Sequence, residues 1–207
     1  MSRKPIEMLE IAQSLAEQDE RLAKVIANSP LCTLAQSKNK VSNFEALVES
    51  VVSQQLSIKA ADTIYGRLFE AANSKMTPES VASIEVDIMR ACGLSGSKTK
   101  TIKGLAEAAL SEKVNFETLQ DLDDDTEIAT KLTQLWGIGA WTVDMFMMHQ
   151  LGRLDIWPTG DLGVRRGWEK MNGLQEQISP SDLNNEGERF RPYRSVVAWY
   201  CWRAVEI

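Results

Sequence analysis

Two features of this 207-residue chain could do chemistry. The first is a turn, Leu135-Trp136-Gly137-Ile138-Gly139, set between two stretches of helical periodicity. The second is a lone acid, Asp161, in Pro158-Thr159-Gly160-Asp161-Leu162-Gly163. Glycine accepts positive φ and lets another backbone come close. A helix that starts just after Gly139 aims its first unbonded N–H groups outward. Those amides and the helix dipole favour an anion such as a nucleic-acid phosphate. The hairpin carbonyls, turned the other way, could hold a monovalent or divalent cation. A carboxylate beside such a grip stabilises a developing positive charge, or orients and deprotonates a water. Taken alone, the Gly-Ile-Gly pattern fits an ordinary αα-hairpin equally well. By position alone, Asp161 fits the N-cap of a helix over 162–171 better than a catalytic role.

The elements that must position these groups read as helices. Ile128, Ala129, Leu132 and Leu135 recur at helical spacing before the turn. Trp141, Val143, Met145, Phe146, Met148 and Leu151 continue an apolar helix after it. Phe44, Leu47, Val48 and Val51 form another apolar stripe, with Asn43 as its expected cap. Thr77 and Pro78 open a further helix, and helices are expected over 105–110, 111–119 and 127–135. Alternating strand patterns are nearly absent. The expectation is an all-α chain of about nine to eleven helices.

Composition sets outer bounds. A hydrophobic content of 43% is enough for a sizeable core in one domain or two small lobes. No apolar run is long enough to span a membrane, and the N-terminal stretch lacks a signal-peptide core. Cys32, Cys92 and Cys201 are too scattered for a disulfide framework or a zinc or iron–sulfur site. The net charge of −6 argues mildly against a nucleic-acid partner, although a binding face needs only local positive potential. One stretch supplies it: 90–106 carries Arg90, Lys98, Lys100 and Lys103 and no acid. Within it, 93–98 reads as a turn into a helix where Ser95 and Lys98 could meet a phosphate; a solvated basic surface fits equally well.

Four motifs in order resemble the helix-hairpin-helix base-excision DNA glycosylases, and within them the 3-methyladenine DNA glycosylases. They are Val52-Ser53-Gln54-Gln55-Leu56-Ser57-Ile58-Lys59-Ala60-Ala61, the hairpin from Leu135 to Thr142, the Asp155 to Gly163 segment, and Arg191 to Arg203. The resemblance covers roughly residues 40–207. It implies a fold of two helical lobes around an active-site cleft. One lobe would take residues 1–42 and 170–207, the other 43–169 with the helix-hairpin-helix at about 126–150. The N-terminal β domain of larger relatives should be missing, because the residues before position 40 read as helical.

The resemblance also implies roles. Such an enzyme flips a damaged nucleotide out of the duplex and fills the hole behind it. Gln55 stands at the wedge position with Leu56 beside it; the alternative is that Gln54 or Gln55 caps a helix or lines the core. Trp141 and Trp202 stand at the positions of pocket aromatics, whose faces attract a cationic methylated purine. Trp157 and Trp199 are weaker pocket candidates. Met145 and Leu162 occupy base-contacting positions where relatives often have tyrosine. Gly137 and Gly139 would hold phosphate with Thr142, and the carbonyls of Thr133, Leu135 and Ile138 would hold a structural cation. Asp161, at 161 − 141 = 20 residues after Trp141, would be the catalytic carboxylate, with Asp155 a weaker acid candidate. Lyase-type relatives have a lysine where Trp141 stands, and tryptophan cannot form a Schiff base.

The expected function is therefore hydrolysis of the N-glycosidic bond of 3-methyladenine or 7-methylguanine in duplex DNA, leaving an abasic site and requiring no cofactor. The expected enzyme is a monomer whose partner is alkylated duplex DNA and not a membrane. It would work in the cytoplasm at the nucleoid if bacterial and in the nucleus if eukaryotic. Two alternatives stay open: a protein that recognises alkylation damage without cutting, and a glycosylase for uracil, hypoxanthine or ethenoadenine. His149, the one histidine, reads as a packing residue.

Overall fold

Short polar residues that end one helix and cap the next divide the chain into its elements. The computed structural model describes residues 8–35 and 41–206. Among these residues there are twelve α-helices and no strand. Residues 8–35 and 147–206 form one compact unit, and residues 41–146 form another. No helix among the described residues is long and apolar enough to cross a membrane.

The first unit contains α1 (Met8–Gln18), α2 (Glu20–Ala27), α10 (Leu162–Asn172), α11 (Pro180–Gly187) and α12 (Arg194–Glu206). Asp19 separates α1 from α2 by accepting the Arg21 and Leu22 N–H groups at 2.8 and 3.0 Å. The core is aromatic: Trp168 meets Trp157 and Phe190 edge-on, with ring centroids 6.1 and 6.0 Å apart. Helices α10 and α12 touch through backbone. A Cβ placed on Gly167 would lie 1.9 Å from the Cys201 carbonyl oxygen.

The 147–169 segment belongs to this unit, so the second boundary falls before it and not at the expected 169/170. Its hydrogen bonds show why. Ser195 donates its N–H to the Leu154 carbonyl at 2.9 Å. Its hydroxyl accepts the Ile156 N–H and donates to the Ile156 carbonyl, at 2.8 and 3.1 Å. Arg194 clasps Asp155 through Nε at 2.7 Å and Nη2 at 3.1 Å.

The second unit contains α3 (Asn43–Ser53), α4 (Ile58–Ala71), α5 (Pro78–Ser83), α6 (Val86–Ala91), α7 (Gly96–Leu110), α8 (Asp125–Thr133) and α9 (Ala140–Met145). Phe44, Leu47, Val48 and Val51 are all buried, as their spacing predicts. Thr77 caps α5 in a reciprocal pair with Ser80, and Pro78 opens the helix, also as predicted.

Three local expectations are corrected. Ser42, not Asn43, caps α3 through Glu45 N–H at 3.1 Å; Asn43 turns inward and donates to the Phe116 carbonyl at 2.8 Å. No α-helix spans 111–119. Instead Glu112 takes a φ of +58° and Asn115 caps a short 3₁₀ turn, Phe116–Asp121. The helix after the hairpin is not continuous to Leu151, because α9 gives way to a π turn at Phe146–Gln150. The helix number exceeds the expected nine to eleven because the side chains of Asp19 and Ser95 cap new helices and a further break falls at Ile84 and Glu85.

Candidate nucleic-acid and catalytic site

In the first unit, Asp161 sits in the loop that starts α10. Its N–H donates to the Pro158 carbonyl at 2.9 Å, which fixes the turn. Oδ1 accepts the Val164 N–H at 2.8 Å and the Trp202 indole N–H at 2.9 Å. The residue is thus an N-cap as well as a partly exposed carboxylate, and the two readings of the sequence coexist. Trp202 reaches it because position 163 is glycine. A Cβ there would stand 2.8 Å from the indole Cδ1. The ring of His149 stacks on Trp202 with centroids 5.8 Å apart and planes 20° apart. Packing is therefore its visible role. Leu162, the first residue of α10, is exposed.

Asp155 is not available as an acid. Its oxygens are tied to Arg191 and Arg194, each at 2.7 Å. Trp157 and Trp199 are buried, and Trp157 donates its indole N–H to the Leu183 carbonyl at 2.8 Å. Both are core residues, contrary to the expectation of a pocket role.

In the second unit, distant motifs meet around one open pocket. Gln54, Gln55, Ser95, Ser97, Lys98 and Trp141 line a depression of ≈ 620 Å³. Gln54 is the C-cap of α3 and donates through Nε2 to Thr142 Oγ1 at 3.1 Å. Gln55 follows in the left-handed region at φ +56° and is exposed, as is Leu56 beside it. Of the two glutamines, Gln55 is the exposed one and Gln54 is the half-buried one. A non-glycine residue at positive φ is held there at a cost.

Three expected DNA contacts do different work. Thr142 is buried and holds Gln54, so it joins the hairpin to the wedge turn. The Ser95 hydroxyl caps α7, accepting Lys98 N–H at 3.2 Å. The Lys98 ammonium donates to the Val52 and Gln54 carbonyls at 2.8 and 2.7 Å. It closes the C-terminus of α3, where a cation offsets the helix dipole, and burial pulls its pKa below the ordinary lysine value. Lys98→Met should loosen the wedge turn. We expect about 1.5–3 kcal/mol of lost stability, read as a shift in the denaturant midpoint, with faster amide exchange at Gln55 and Leu56.

The hairpin itself is built on α7. Gly137 takes φ +82°, and a Cβ there would lie 2.0 Å from Thr101 Oγ1. Gly139 is the N-cap of α9 and supplies no side-chain cap, with no atom within 4 Å of where its Cβ would be. Gly139 itself therefore places no side chain over the start of α9. Trp141 is exposed, while Met145 is half-buried. The Leu135 carbonyl accepts the Ile138 N–H at 3.1 Å, a turn bond and not a helical one. No cluster of three His, Cys, Asp or Glu side chains able to hold a metal exists among the described residues. A cation at the hairpin would thus rest on the neutral carbonyls of Thr133, Leu135 and Ile138.

Comparison with known proteins agrees with this architecture. Residues 48–192 match the family of HhH-GPD superfamily base excision DNA repair proteins. The chain is 33% identical over 195 residues to DNA-3-methyladenine glycosylase 1 of Schizosaccharomyces pombe, covering 93% of this chain and 84% of that protein. A crystal structure of a DNA-3-methyladenine glycosidase from Bacillus halodurans superposes with a TM-score of 0.82 at 35% identity, over 94% of this chain and 88% of the other. The structure of an S. pombe 3-methyladenine DNA glycosylase in complex with abasic DNA superposes with a TM-score of 0.85 at 31% identity, over 96% and 97% of the two chains. The uncapped glycine hairpin, the Asp161 loop and these likenesses place the chain in the HhH-GPD superfamily of base excision DNA repair enzymes, in its DNA-3-methyladenine glycosylase branch.

Proposed function

We propose that this protein is a monofunctional, monomeric glycosylase that hydrolyses the N-glycosidic bond of alkylated purines in duplex DNA, with 3-methyladenine and 7-methylguanine as substrates. The observation that carries the reading is Asp161, a partly exposed carboxylate at a helix start, beside the indole of Trp202.

The chemistry follows from the lesion. Methylation at N3 or N7 makes the purine cationic, so the base leaves C1′ with the bonding electron pair as a neutral molecule. The sugar is left with oxocarbenium character, and Asp161 stabilises that charge. Water adds at C1′, and its proton passes to Asp161 and on to solvent. No step needs a cofactor. The face of Trp202 attracts the cationic base before cleavage. Trp141, Met145 and Leu162 are the other base contacts proposed. Trp141 also leaves no amine for a Schiff base, so the strand stays intact.

The grip on DNA is assigned to the amides at Gly137 and Gly139, with Gln55 as the wedge and Leu56 beside it. A cation on the Thr133, Leu135 and Ile138 carbonyls would stiffen the hairpin and take no part in cleavage. A panel of duplexes carrying 3-methyladenine, 7-methylguanine, hypoxanthine, ethenoadenine or uracil tests the substrate assignment. Single-turnover rates should be highest for the two methylated purines. Faster excision of uracil would overturn it.

The wedge makes a prediction of opposite signs. Gln55→Gly relieves a left-handed side chain at φ +56°, about 1–2 kcal/mol, against about 0.5–1 kcal/mol of added unfolded-state entropy, so the free protein should gain up to about 1 kcal/mol in denaturant unfolding. The same change should slow excision from a duplex about tenfold, because nothing fills the hole behind the flipped base. Excision from a single strand should be unchanged. A duplex rate equal to wild type would remove Gln55 from the wedge role.

A further inference from the structure

The acid-free stretch 90–106 has four cations, and three are used inside the fold. Arg90 donates to the Leu94 carbonyl at 2.8 Å. Lys98 closes the end of α3. Lys103 donates to the carbonyls of Val81, Ala82 and Ile84 at the end of α5. Lys100 differs. Its ammonium lies over the Trp136 ring, 4.2 Å from the centroid, on an exposed turn of α7.

Trp136 is itself unusual. It is 52% exposed and immediately precedes Gly137. Its place next to Lys100 is built in, because Gly137 seats the hairpin directly on Thr101. An exposed ring beside the proposed phosphate-binding turn, with a lysine ammonium over it, offers an apolar edge and a positive charge side by side. The sugar–phosphate strand has the complementary chemistry. Lysine neutralises a phosphate as a point charge, and an indole edge packs on deoxyribose. Neither contact reads sequence, as a protein searching for rare lesions requires.

We infer that Lys100 and Trp136 form a second backbone contact beside the hairpin, taking the phosphate and deoxyribose next to those held by the Gly137 and Gly139 amides. The inference rests on the DNA-glycosylase reading above and extends it by two residues.

The test is binding of the full chain to a duplex carrying a tetrahydrofuran abasic-site analogue, by fluorescence anisotropy over a salt series. Lys100→Gln should lower the slope of log affinity against log salt by about 0.9, the loss of one phosphate contact. Trp136→Ala should weaken binding about tenfold, and Trp136→Phe should recover most of it. Thermal melts confirm that all three variants are folded. Wild-type affinity and slope in both Lys100→Gln and Trp136→Ala would overturn the inference and leave the glycosylase reading intact. Wild-type protein that binds the duplex but releases no base from methylated DNA would overturn the glycosylase reading alone. Failure of wild type to bind the duplex would overturn both.

Discussion

Asp161→Asn should release methylated purines at least about 10²-fold more slowly than wild type in single turnover, with its fold unchanged. The two halves of that expectation come from one atom. Oδ1 of Asp161 caps α10 through Val164 and receives the Trp202 indole N–H. Asparagine keeps an oxygen at the same place, and Asn and Asp are equal N-caps, so unfolding should move by only a few tenths of a kcal/mol. The lost negative charge is what the oxocarbenium-like sugar needs. Asp161→Ala separates the roles differently. It should lose the same activity and also about 1 kcal/mol of stability, the usual value of an N-cap. Quench-flow or manual single-turnover assays on methylated duplex, run beside urea melts, read both quantities. Activity in Asp161→Asn within about threefold of wild type would assign the carboxylate to capping alone.

The second large effect is structural. Gly167→Ala should destabilise the protein by about 3 kcal/mol or more. The added Cβ would lie 1.9 Å from the Cys201 carbonyl oxygen and 2.4 Å from its carbon. Neither is the end of a flexible side chain, so α12 must move away from α10. Trp202 follows Cys201 on that helix and donates to Asp161 from it. The shift therefore reaches the proposed catalytic group. We expect a lower denaturant midpoint, and reduced base release even at temperatures where the variant is folded. An unchanged midpoint would mean that the two helices are not in backbone contact.

Much of this arrangement was legible in residue order. Periodicity found the apolar stripe of α3, and Thr77-Pro78 found a helix start. The Gly-Ile-Gly turn and Asp161 marked a helix junction and a helix start, the two places where the proposed site is built. The glycines at 163 and 167 are also four apart, which puts them on one face of α10. That spacing signals a close helix crossing, although only the structure shows that Trp202 and the Cys201 backbone occupy it.

What could not be read is where each polar group points. Lys98 is one position in a basic run until its ammonium is seen on the carbonyls of Val52 and Gln54. Thr142 sits in the hairpin motif yet faces Gln54. Asp155 has the same side chain as Asp161, yet its oxygens are held by Arg191 and Arg194 while Asp161 caps α10 and receives the Trp202 indole N–H. These assignments depend on contacts between residues 36 to 88 positions apart, which local pattern does not encode. The tryptophans show the same limit. Six residues of one type divide into core, exposed ring and Asp161 partner only through burial and partners.

The central claim is hydrolysis of the glycosidic bond without strand cleavage. Its most direct test is product analysis of a methylated duplex treated with the wild-type protein. Free 3-methyladenine or 7-methylguanine should appear in the soluble fraction by chromatography, and the DNA strand should break only after alkali. Damaged duplex that is bound while no free base appears would contradict the claim and leave a recognition protein in its place.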